Sequence, residues 1–145
     1  MDFVYLVTPV LTWLVVGPIK FLINSARQRR WAFNLVGNGG FPSNHSAVVT
    51  SMATLIALRE SMSDPAFGVA VTLAFVVMID ANSLRQHVGR QAAAINRLSG
   101  ADRLESNGAP ARLRERMGHT LIEIGGGIVT GIGMGFLINF VSRQW

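Results

Sequence analysis

Residues 121–141 read LIEIGGGIVTGIGMGFLINFV, 21 positions with one charged side chain, Glu123. About 20 apolar residues, rising 1.5 Å each, cross about 30 Å of hydrocarbon. This stretch therefore decides the fold: the chain is a membrane protein built from helices. Gly127, Gly131 and Gly135 recur at every fourth position. Small residues on one face let another helix approach backbone to backbone. Whether that helix lies in the same chain or in a second copy stays open at this point, and a homodimer through this glycine-rich helix is one expectation.

Upstream, Phe3–Ile23 is another apolar run of 21 residues, with Pro9, Pro18 and Lys20 inside it. Membrane helices tolerate prolines. Arg27-Gln28-Arg29-Arg30 then stops the run. No basic n-region precedes it and no small-residue cleavage site follows, so it reads as a retained membrane helix rather than a signal peptide. Ser46–Leu58 and Phe67–Ile79 are apolar for 13 residues each. Both are short for a span. They cross with snorkelling flanks and local thinning, or they form a re-entrant hairpin. In residues 80–98, Leu84, Val88, Ala92, Ile95 and Leu98 follow helical steps, with Arg85, Arg90 and Arg97 off the stripe. Residues 31–44 and 99–110 read as loops, and Ala111–Met117 as a short basic helix.

The expected fold is all-α, a single integral-membrane domain over residues 1–145. It is a polytopic helical bundle of about four transmembrane helices plus one amphipathic cytoplasmic helix. Composition agrees: half of the chain is apolar and 14% is charged, against about 25% charged for a soluble domain. There is no cysteine, which excludes disulfides, a thiolate nucleophile and cysteine metal sites. Arginine supplies all but one of the 13 basic residues. That excess suits phosphate or an anionic membrane surface, and so much unbroken apolar sequence argues against nucleic acid.

With four crossings, every basic residue except Arg59 and Arg143 falls on one side. The positive-inside rule makes that side cytoplasmic and puts both termini on the other. A bacterial inner membrane is the expected location.

The same topology gathers chemistry at the basic face. Lys20 closes the first helix, His45 opens the second, Asp80 and Arg85 follow the third, and His119 and Glu123 open the last. A carboxylate on one imidazole nitrogen fixes the tautomer and leaves the other nitrogen to attack or to take a proton. Arginine and lysine bind phosphate oxygens, and helix starts add backbone donors. The set suits phosphoryl transfer.

FPSNHSA (41–47), IDANSLRQHVGRQAAAIN (79–96) and GHTLIEI (118–124) together resemble the divergent PAP2 family. That family is a small membrane branch related to acid phosphatases and vanadium-dependent haloperoxidases. The resemblance covers nearly the whole chain and implies a PAP2-like core. The wider pattern is K-x6-R-P, then P-S-G-H, then S-R-x5-H-x3-D. Lys20 and Arg27 keep the first spacing, with Gln28 for proline. Pro42, Ser43 and His45 match the second, with Asn44 for glycine. His119 and Glu123 match the end of the third, with glutamate for aspartate. Leu113 stands where its arginine belongs, flanked by Arg112 and Arg114. The branch's own D-x4-R segment fits Asp80 and Arg85.

By this resemblance His119 is the nucleophile, His45 the general acid and Glu123 the orienting carboxylate. Lys20, Arg27, Ser43 and either Arg85 or Arg114 are the phosphate ligands, and Asp80, Asn44 and Gln91 are supporting residues. The chemistry implied needs no metal and no cofactor. Its substrate is a lipid phosphate or a prenyl (di)phosphate held among membrane lipids. The alternative is a non-catalytic scaffold or lipid-phosphate-binding protein with decayed motifs.

Overall fold

The computed structural model describes residues 3–29, 40–99, 112–115 and 117–144. Among these the chain is helical and has no strand. Helix α1 spans Val4–Gln28, α2 Asn44–Arg59, α3 Pro65–Ile79, α4 Arg85–Leu98 and α5 Leu121–Ser142, with a π turn at Asp80–Leu84 between α3 and α4.

The helix starts follow from local chemistry. The Ser43 side chain accepts the Ser46 N–H and caps α2. Asp64 accepts the Ala66 N–H at 2.7 Å, and Pro65 lacks the N–H that a first helical residue leaves unpaired anyway. Thr120 and Glu123 form a reciprocal capping box at α5, an arrangement worth about 1 kcal/mol. Arg29 ends α1 in the left-handed region, at φ 51°.

α2 is the centre of the bundle and packs against α1, α3 and α5. Its face toward α5 is small and polar, and α5 answers with glycine. A methyl group at Gly131 would lie 2.5 Å from the Ala47 carbonyl oxygen, and one at Gly127 would lie 2.5 Å from the Ser43 carbonyl oxygen. One at Gly135 would lie 2.7 Å from Thr54 Cβ. The ladder is thus occupied within the chain. A second copy would have to meet the rest of α5, where Gly125 and Gly133 face open space. Toward α1, the Thr12 hydroxyl donates to Ser51 Oγ at 2.8 Å, and Val16, Ala47, Met134 and Ile138 form the buried apolar cluster.

Among the described residues three helical stretches are long and apolar enough to cross a membrane: Val4–Arg27, Pro65–Leu98 and Leu121–Ser142. α2 is not one of them. Its 16 residues cover about 24 Å. From residue 44 to 59 only His45 is exposed, so α2 is sheathed by its neighbours and needs little apolar surface of its own. The four-helix bundle holds, and about three of its helices, rather than four, could cross a membrane by length and composition.

Two expectations change. The third apolar segment and the amphipathic segment are one unbroken helix of 34 residues, Pro65–Leu98. The shift from apolar to polar sequence at Asp80 marks a change of surroundings, not an end of the helix. Residues 112–115 and 117 are not helical. Asn96 of α4 takes their backbone instead: its Nδ2 donates to the Leu113 carbonyl at 2.7 Å and its Oδ1 accepts the Leu113 N–H at 2.9 Å. Most of the two loops, residues 30–39 and 100–111, lies outside the described residues.

The two ends of the bundle differ. At one end the Tyr5 hydroxyl donates to Glu60 at 2.6 Å, and Arg59 donates to Asn139 and Ser142. The start of α1 and the end of α5 therefore share an end with the α2–α3 turn. The histidines lie at the other end.

Candidate active site

His45 sits in the first turn of α2 and His119 just before α5, and their ring centroids are 6.2 Å apart. Two backbone hydrogen bonds and one glycine turn set this spacing. The Ser43 N–H donates to the Glu123 carbonyl at 2.9 Å, joining the starts of α2 and α5. The His119 N–H donates to the Ala81 carbonyl at 2.8 Å, joining α5 to the π turn. Gly118, at φ +94°, makes the turn that allows this.

His119 Nδ1 hydrogen-bonds Glu123 Oε2 at 3.1 Å. The four-residue spacing suggests a shared helix face, but His119 precedes the helix. The pair forms through the cap instead, because the same Oε2 also accepts the Thr120 N–H at 3.0 Å. Nδ1–H donated to the carboxylate leaves Nε2 with its lone pair.

The His119 side chain is 5% exposed. Burial holds its imidazole below the ordinary value of 6.5. The Glu123 hydrogen bond pulls the other way, and the charges of Lys20 and Arg85 lower it further. The neutral form is therefore favoured, as a nucleophile requires. Lys20 and Arg85 also add positive potential at His45.

The remaining expected residues divide. Arg85 Nε pairs with Asp80 Oδ2 at 3.1 Å. The Asn44 amide nitrogen lies near Gly17 of α1, and its buried Oδ1 has no hydrogen-bond partner among the described residues. Ser43 is fully buried, with its hydroxyl accepting from Ser46. The Arg27 guanidinium lies 5.0 Å from the centre of the Phe41 ring, and that ring fills the space a side chain at Gly126 would need. Arg114 is exposed on the 112–115 segment and Gln91 is exposed on α4. Of the two arginines left open by the sequence, Arg85 is the one whose charge reaches both histidines. No group of three or more metal-ligating side chains occurs among the described residues.

Sequence reasoning missed three participants. Thr120 was legible, since Thr-x-x-Glu before an apolar run is a capping-box signature. Asn96 was masked by its place on the polar side of an amphipathic helix. The Ala81 carbonyl has no side-chain signal at all.

The model of the divergent PAP2 family matches residues 2–134. An uncharacterized membrane protein of Bacillus subtilis (strain 168), YuiD, is 32% identical over 126 residues, covering 79% of this chain and 78% of its own length. No solved structure matches the chain at a significant level.

Proposed function

The chain belongs to the divergent PAP2 family, and from that premise we propose that it is a metal-independent membrane phosphatase acting on a lipid phosphate or a prenyl (di)phosphate. The observation that carries the reading is the histidine pair: two rings 6.2 Å apart, one of them oriented by a carboxylate. A phosphoryl group between them can meet a nucleophile on one side and an acid on the other.

His119 Nε2 attacks phosphorus, the bond to the leaving oxygen breaks, and His45 delivers its proton to that oxygen. Water then attacks the phosphohistidine and passes a proton to His45. The P–N bond breaks, inorganic phosphate leaves, and His119 recovers its lone pair. Glu123 keeps the Nδ1–H in place throughout and stabilises the charged ring. Lys20 and Arg85 offset the phosphate charge.

Phosphate release from lipid phosphates in the presence of chelator tests this. His119→Ala should be inactive, and His45→Ala should slow turnover by about 10²–10⁴. Full activity in His119→Ala sinks the mechanism. Leu113 and Gln28, which stand where the wider pattern has arginine and proline, support a second reading: a module that binds lipid phosphate without turnover. Saturable binding with no phosphate released, even at long incubation, would favour that one.

A further inference from the structure

Asp80 and Arg85 are five positions apart. In an α-helix, steps of about 100° leave two such side chains about 140° apart around the axis, on different faces. Here they form an ion pair, because residues 80–84 make a π turn in which the Arg85 N–H reaches back to the Asp80 carbonyl. The i→i+5 bond brings the fifth residue round to the same face. The pair engages Arg85 through Nε. Among the described residues the Arg85 side chain makes no other hydrogen bond or ion pair, so both Nη groups remain for an incoming anion. The same turn presents the Ala81 carbonyl that accepts the His119 N–H.

We infer that the π turn is a working part of the site: it aims the Arg85 fork at the phosphate and fixes the backbone of His119, with Asp80 as a positioning residue. The inference rests on the phosphoryl reading above. It explains why an ordinary α-helix would not serve here. Wound as an α-helix without loss of a residue, the segment would put Asp80 and Arg85 on different faces and turn α4 by about 100° relative to α3.

The test uses the full chain in detergent, with orthovanadate and inorganic phosphate as probes and amide hydrogen exchange as a second readout. Deletion of Ser83, an exposed residue of the turn, leaves Asp80 and Arg85 four positions apart on an ordinary α-helix, returns the Ala81 carbonyl to an i+4 helix bond and should cost the His119 amide its protection from exchange. Asp80→Ala should weaken vanadate binding by about tenfold or more while that amide stays protected. Asp80→Asn, which keeps an acceptor for Nε, should fall between. Wild-type affinity in Asp80→Ala, or a His119 amide that stays protected in the deletion, overturns the inference. If the deletion loses its cooperative melt, Asp80→Ala and Asp80→Asn decide. A wild-type chain that binds neither probe overturns the phosphoryl reading instead. The exchange arm then judges the turn: slower His119 exchange in wild type than in the deletion supports it, and equal rates overturn it.

Discussion

His119 combines burial, a carboxylate partner and two cationic neighbours, and each leaves a measurable mark. Its titration midpoint should lie below 6.5 by NMR of the imidazole. Glu123→Gln should lower it further, because the hydrogen bond to the carboxylate favours the charged ring; a rise would contradict the assigned contact. The sign for stability follows from linkage. Between the depressed folded value and 6.5 the unfolded chain binds more protons, so stability rises with pH across that window and is flat on either side. His119→Gln should flatten the slope of melting temperature against pH there. His119, Glu123 and His45 were legible because their chemistry resides in side chains at recognisable spacings. Leu113 shows the limit. Its backbone, not its side chain, is what Asn96 holds, and no sequence pattern announces that.

Helix starts were legible where a capping side chain declares them, as at Ser43, Asp64 and Thr120. Continuity across Asp80 was not, because hydropathy reports the surroundings of a residue and not its backbone hydrogen bonds. The π turn leaves one trace in sequence, the five-residue step from Asp80 to Arg85. The glycine ladder could be found from spacing alone, and its partner left a trace too, since Ser43, Ala47 and Ser51 repeat the same four-residue step. The ladder makes a sharp prediction. Gly131→Ala puts a methyl group 2.5 Å from the Ala47 carbonyl oxygen and should destabilise by about 1–3 kcal/mol through forced separation of α2 and α5. Gly133→Ala, in open space, should be neutral or stabilising, by up to about 1 kcal/mol of helix propensity. Thermal melts in one detergent compare them directly, and equal losses would refute the packing argument.

For the whole molecule, the bundle has one end held by Tyr5, Arg59, Glu60, Asn139 and Ser142 and one end that carries the histidines. The chain has no cysteine, so single cysteines report sidedness cleanly. Ser61→Cys and Gln144→Cys should react with a membrane-impermeant maleimide from the same side of intact cells. Ser99→Cys should react only after permeabilisation, as the basic bias requires. Labelling of Ser61→Cys and Ser99→Cys from the same side would reverse the arrangement.

The shielding of α2 also bears on how the chain enters the membrane. Ser46, Thr50, Ser51 and Thr54 make α2 a weak candidate for insertion on its own, and its closest backbone partner, α5, follows it by some sixty residues of chain. During synthesis α2 must therefore wait, at the interface or against α1, until the glycine face arrives. Chains truncated before Leu121 should leave α2 open to proteolysis in membranes, while chains extended through Ser142 should protect it; protection of the shorter chain would show that α1 and α3 suffice. The central helix of this bundle is thus expected to be among the last to settle, although it is the second to be made.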